Sequence, residues 1–179
     1  MAAILKMPIR PSLLTKTVVC REEIHTTHPV AIANDLYTRS TIRKNWAPSI
    51  TELFNANDRH LADYTMFLAP LICFGKPDCR IMLRGEKIPG SFDPESSSGK
   101  SYSEFLKSET DIDPASILQD IFGSIVTRQI LLAETRSPFK NHLSVSMYRG
   151  IFPIWNSSSD QLWAALICAP KYAELPTSG

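Results

Sequence analysis

At 179 residues and 44% hydrophobic content, the chain is long enough for one compact domain plus an extension. Lys plus Arg (19) nearly balances Asp plus Glu (18), and the net charge of +1 leaves no overall field to gather nucleic acid or an acidic membrane surface. No apolar run approaches the roughly 20 residues that cross a bilayer, so membrane insertion is not expected.

The charge is uneven. Residues 1–50 carry seven basic and three acidic side chains, a different compositional class from the rest. The opening MAAILKMPIRPSLLTKTVVC holds Lys6, Arg10 and Lys16 without an acid, as a cleavable presequence does, but Pro8 and Pro11 interrupt any helix early. The expectation is a loose tail continuing to about residue 29 as an extended arm. His25 and His28 lie three apart with no third ligand beside them, which predicts a solvent-exposed pair rather than a metal site. Residues 31–44 read as a helix presenting Ile32, Leu36, Tyr37 and Ile42, stopped by Pro48. Ser49-Ile50-Thr51-Glu52 is a capping-box pattern opening a short helix to about residue 55.

Residues 62–74, ADYTMFLAPLICF, predict a strand ending at the turn formers Gly75-Lys76-Pro77-Asp78. CRIMLRGEKI, residues 79–88, predicts a second strand, antiparallel to the first through a hairpin. After Gly99, Tyr102, Phe105 and Leu106 fall at helical spacing and give a helix of two turns. Asp113 as N-cap and Pro114 at the first helical position open the clearest helix, 114–133, with Ile117, Leu118, Ile121, Phe122, Ile125 and Val126 on one face. Gly123 in its middle costs on the order of 1 kcal/mol relative to Ala, which close packing against a sheet explains. Residues 142–155 and 161–170 predict two strands joined by the polar loop Asn156-Ser157-Ser158-Ser159-Asp160.

Strands flanking helices predict an α+β domain with an antiparallel sheet. Two of the four cysteines, at 20, 73, 79 and 168, lie in apolar runs and none forms a CxxC pair, so buried reduced thiols in a cytoplasmic protein are expected. The GKS at 99–101 mimics the end of a P-loop. That loop has a glycine five positions before Gly99, where this chain has Pro94, which offers no amide to a phosphate, so nucleotide binding is not expected.

The run IMLRGEKIPGSFDPESSSGKSYSEFL, residues 81–106, resembles the core of a bacterial PAS-like sensory family. Leu83-Arg84-Gly85-Glu86 matches its strand end, Phe92 the aromatic of its first turn, Gly99-Lys100-Ser101 its second turn and Phe105-Leu106 its short helix. YRGIFPIWNSSSDQLWAALICA resembles its closing hairpin. The resemblance spans roughly residues 60–172. Asp93 replaces the glycine usual after the aromatic, and the family's N-terminal Trp-basic-Pro motif is only loosely echoed by residues 43–48, RKNWAP.

The resemblance implies an antiparallel sheet of about five strands with helices on one face, residues 49–179, preceded by an N-terminal tail and helical extension, residues 1–48; the element order gives four of those strands, and the fifth is then a short one near residues 136–141. It implies a non-enzymatic sensory or protein-interaction module for signal transduction, with a small ligand in its core and a second signalling protein as its output. It also implies a homodimer formed through the helix before the sheet. The pocket residues so implied are Met82, Phe105, Ile121, Phe122, Ile125, Tyr148 and Trp155, for each of which core packing is the plainer role. Arg84 and Arg149 each precede a glycine at a strand end and suit a ligand carboxylate, or alternatively a surface ion pair. His142 is the candidate for a haem, although no cofactor is required by the sequence. The alternatives are a scaffold homodimer without ligand, or a small-molecule-processing enzyme. The enzyme reading lacks a GxSxG elbow and a Cys–His pair, and the acids of residues 104–113 lack a basic partner.

Overall fold

The computed structural model describes residues 15–44, 47–53, 59–73, 75–88, 97–110, 112–138 and 144–175. Strands β1 (Thr15–Val18), β2 (Thr65–Cys73), β3 (Lys76–Arg84), β4 (Leu131–Pro138), β5 (Ser144–Asn156) and β6 (Gln161–Pro170) form one antiparallel sheet. Their order is β1-β4-β5-β6-β2-β3. The α-helices are α1 (Pro29–Lys44), α2 (Ile50–Leu53), α3 (Arg59–Ala62), α4 (Tyr102–Glu109) and α5 (Pro114–Thr127). The class is α+β with an antiparallel sheet, as the element order requires, but the sheet has six strands, not five.

The sixth strand comes from the arm expected to be loose. Thr15, Thr17 and Val18 are β-branched, and β1 pairs with the open edge of β4 from Thr15↔Arg136 to Val18↔Ala133. β4 begins within the last three residues of the expected helix 114–133 and runs into the short strand expected near 136–141. The helix stops at Thr127 because Arg128 turns left-handed, with φ 56°, and returns its N–H to the Ser124 carbonyl. The Ser124 hydroxyl also donates to the Gln129 carbonyl, at 2.5 Å. No glycine marks this stop, and Ile130, Leu131 and Leu132 prolong the apolar text across it.

Alternation along β5 and β6 sends apolar side chains to both faces, so the sheet is covered on both and not on one. On the first face α4 and α5 bury Tyr102, Phe105, Leu106, Ile117, Leu118, Ile121 and Ile125 against Met66, Leu68, Ile81, Ile151, Ala164 and Leu166. On the second, Val30, Ala31, Ala33 and Tyr37 of α1 lie against Phe67, Phe152, Ile154, Ala165 and Ile167. Two alanines let α1 sit low on the strands, and burying one side chain the size of Phe152 there contributes about 1.5–3 kcal/mol. The described part of the extension therefore shares the core of residues 49–179, through β1 on the sheet edge and α1 on its face.

His28 starts α1 and is wholly buried, not solvent-exposed. Its Nδ1 accepts the Val30 N–H at 3.1 Å, an N-cap bond, and its Nε2 lies 3.0 Å from the Pro170 carbonyl. Together these bonds require the neutral ring with the proton on Nε2. The Tyr148 ring meets it edge-on, with centroids 5.2 Å apart.

Candidate functional site

The GKS segment runs beside the free edge of β3. Gly99 donates to the Ile81 carbonyl at 2.7 Å, and the Ile81 N–H donates to the Lys100 carbonyl at 2.9 Å. Gly99 does this at φ +82°, a conformation that favours glycine. The segment thus occupies edge groups of the sheet that a further strand would otherwise take. Ser101 then caps α4, accepting from the Glu104 N–H at 3.3 Å.

Asp78 ties this cap to β3. It is buried, and it accepts from the Ser101 and Ser103 hydroxyls at 2.6 Å each, the Cys79 N–H at 2.7 Å and the Ser103 N–H at 3.2 Å. Burial by itself pushes its pKa up, but the hydrogen bonds, led by those of Ser101 and Ser103, outweigh it and hold the carboxyl below its ordinary value. The Ser-x-x-Glu of residues 101–104 is legible in sequence as a cap, whereas Asp78 reads only as a turn residue.

Asp78 also lies at one end of a groove of about 1010 Å³ between α5, α4 and the start of β3. Leu118, Phe122 and Val126 of α5 supply its apolar wall, Pro77 extends it, and Lys76 and Glu104 stand at the rim. Val126 is 78% exposed, as is Ile72, which pairs with Pro77 across the β2–β3 hairpin. Gly123 also opens on the groove, and a Cβ there meets nothing within 4 Å, so close packing on the sheet does not account for it.

The two arginines sit under the helices of the first face. Arg84 ends β3 and is buried. Its Nη1 donates to the Ser97 hydroxyl at 3.2 Å, its Nη2 to the Ile88 carbonyl at 2.9 Å, and its guanidinium stands 5.1 Å from the centroid of Phe105. Arg149 lies within β5 rather than at a strand end, 3% exposed. It donates to Asp120 Oδ2 at 2.6 Å, while Lys16 holds Asp120 Oδ1 at 2.7 Å. The buried Nε of Arg149 meets no acceptor among the described residues. The ion pair of Arg149 with Asp120 is thus buried rather than on the surface.

Of the other residues expected at the pocket, Phe105, Ile121 and Ile125 are packed in the first-face core, with Phe122 half-buried at the groove. Tyr148 lies on the opposite face beside α1. Met82 is partly exposed on β3, where its carbonyl accepts from Ser98. Trp155 is at the far end of β5, donating its N–H to the Pro48 carbonyl at 2.8 Å. Phe92, His142 and Trp46 lie outside the described residues. Cys79 and Cys168 are pushed by burial to pKa values of about 12 and about 11, the Asp78 charge adding to the rise at Cys79, so both keep their proton at neutral pH. Cys20 is exposed instead. No group of three or more His, Cys, Asp or Glu gathers as a metal requires among the described residues. Among the described residues, no helix is long and apolar enough to cross a membrane.

Compared with known proteins, the chain matches no family model, no curated protein and no solved structure.

Proposed function

We propose that the chain is a non-enzymatic PAS-like sensory and protein-interaction module, which takes a small ligand beneath α4 and α5 and passes its state to a partner protein. The observation that carries this reading is the arrangement of the sheet. An initial hairpin, β2–β3, is followed by two helices on one face and then by β4, β5 and β6, whose last strand returns beside the first, β2. That is the order of strands, helices and closing strands for which the sequence resembles the PAS-like family. The additional β1 and α1 are appended before this core.

The ligand side of the reading rests on Arg149. A buried guanidinium with one N–H unmatched among the described residues favours a small acceptor nearby, and a carboxylate suits it best. The polar groups of the site otherwise serve structure: Asp78 anchors a helix cap, His28 caps α1 and both interior thiols are protonated. These roles favour binding over catalysis.

Native mass spectrometry and absorption spectra of the purified full chain test the proposal, followed by a thermal-shift screen of small carboxylates. A retained or stabilising ligand whose effect is lost in Arg149→Met supports it. Stabilisation by nucleoside triphosphates that depends on Lys100 speaks against it. A blank screen with a stable dimer leaves the scaffold reading, which the exposed apolar groove favours.

A further inference from the structure

His28 joins the start of α1 to the turn after β6. Its Nδ1 accepts the Val30 N–H, and its Nε2 donates to the Pro170 carbonyl. That carbonyl also accepts the Ala173 N–H at 2.8 Å, and the Leu175 N–H returns to the Thr27 carbonyl, beside the histidine, at 2.8 Å. One ring therefore holds both a helix start and residues 170–175, and its accepting nitrogen is the one that acid takes away. A capping oxygen of Ser, Thr or Asn would hold Val30 at any pH near neutrality. A protonated imidazole cannot accept from Val30, and it sets a cation at the positive end of the α1 dipole.

The surroundings offer that cation no compensation. His25, from the turn before it, acts against a second positive charge. Lys171, just after β6, stands 5.3 Å from the centroid of the Tyr148 ring that meets His28 edge-on, and the Tyr148 hydroxyl is turned to the Glu23 carbonyl at 3.4 Å. The carboxylates of the adjoining elements are engaged elsewhere: Glu134 of β4 accepts from Lys171 at 2.9 Å, Glu23 from the Cys20 N–H at 2.5 Å and Asp35 of α1 from Arg21 at 2.6 Å. Among the described residues, no carboxylate acts on the ring. A wholly buried ring so placed takes its second proton by leaving its site.

We infer that His28 is a proton-operated latch: in mild acid the ring leaves its site, and the first turn of α1 and residues 170–175 come free together while the sheet stays folded. The release uncovers Tyr148, which is buried beneath them. The latch stands on the packing of these two segments and does not depend on the PAS-like reading.

Amide exchange of the full chain, resolved by residue between about pH 7 and about pH 5 and corrected for the intrinsic rate, tests it. Protection at Val30, Ala173 and Leu175 is expected to fall by about tenfold across that range, starting below pH 6.5, the ordinary value for the ring. Gly85 and Ile81, whose amides donate to Thr65 and Lys100 at the other end of the sheet order, are expected to keep theirs. His28→Asn, which caps but cannot titrate, is expected to abolish the fall, and His25→Gln to leave it in place. Protection unchanged in the wild type overturns the inference, as does a parallel loss at Gly85 and Ile81, which means global unfolding. A fall that persists in His28→Asn or vanishes in His25→Gln assigns the proton elsewhere and overturns it too. Should His28→Asn not fold, the wild-type profile still decides: a loss that begins only toward pH 3.8 belongs to carboxylates such as Asp78 and not to His28.

Discussion

Arg149 of β5 and Asp120 of α5 meet at 2.6 Å between sheet and helix, the arginine side chain 4% and the aspartate 12% exposed. Lys16 of β1 reaches the other carboxylate oxygen at 2.7 Å, so one aspartate links the edge strand, the central sheet and the helix above it. Removing one member of a buried pair strands the other charge, and this outweighs the net worth of the pair. Asp120→Ala is expected to lower unfolding free energy in urea by about 3 kcal/mol. The double change Asp120→Leu with Arg149→Met is expected to recover most of it. A single change costing less than about 1 kcal/mol, the level of an exposed pair, disproves the coupling.

Asp78 makes the fold acid-sensitive in a definite window. Its folded pKa is held below 3.8, its ordinary value, by the Ser101, Ser103 and Cys79 bonds acting against burial. The unfolded chain therefore takes up the proton first, and the stabilisation is complete well above pH 3.8 and is lost as pH falls through that value toward the folded pKa. Asp78→Asn, which removes the charge, is expected to flatten this part of a stability-versus-pH curve and to cost about 2 kcal/mol at neutral pH. An unchanged acid limb in the variant counts against Asp78 as its source.

His28 sets a second window at higher pH. Burial lowers its folded pKa below 6.5 against the opposing bond to the Pro170 carbonyl; protonation at Nδ1 would also remove the acceptor for the Val30 N–H. The unfolded ring binds a proton more readily, so stability is full above pH 6.5 and falls as pH drops below it toward the folded pKa. His28→Asn preserves a capping oxygen and cannot titrate. Its unfolding curve is expected to lose the slope below pH 6.5.

How much of this was legible depends on whether the information is local. The hairpin β2–β3, the start of α5 at Asp113-Pro114 and the β5–β6 loop were readable because alternation, a cap and turn residues each sit within a few positions. β4 was readable only at its far end, as a short strand near 136–141; its start was not, because an arginine makes the left-handed stop and apolar residues continue through it. His28 was misread for a similar reason: the carbonyl its Nε2 meets, that of Pro170, is 142 positions away. In the same way Arg149 and Arg84 stood out in sequence, but their partners Asp120 and Ser97 are set by the approach of helix and loop to the sheet. Tyr148 and Trp155 share β5 with Arg149, yet alternation sends Tyr148 to the other face and strand length carries Trp155 to the far end.

Gly85, after Arg84, is fixed by close approach rather than by a turn. A Cβ on it collides with the carbonyls of Ala62 and Asp63, while its N–H donates to Thr65 at 2.8 Å. Those colliding atoms are backbone at the end of α3 and the turn before β2, so relief requires that turn or the end of β3, with Arg84, to move. Gly85→Ala is expected to destabilise by at least about 2 kcal/mol in urea denaturation. A loss within about 0.5 kcal/mol, the scale of a neutral surface change, contradicts this packing.

Gly99 separates the two meanings of GKS. If the segment is structural, Gly99→Ala forces an alanine toward φ +82° and is expected to cost about 1 kcal/mol, loosening the contact of Gly99 and Lys100 with Ile81. Hydrogen exchange at the Ile81 amide is then expected to accelerate, because its acceptor is the Lys100 carbonyl. Calorimetric titration of the wild type with ATP and magnesium is expected to give no heat of binding, since Pro94 replaces the first glycine of a phosphate loop. Saturable ATP binding abolished by Lys100→Ala, with the Ile81 amide unaffected in Gly99→Ala, makes GKS a phosphate site and removes its role as a guard on the β3 edge.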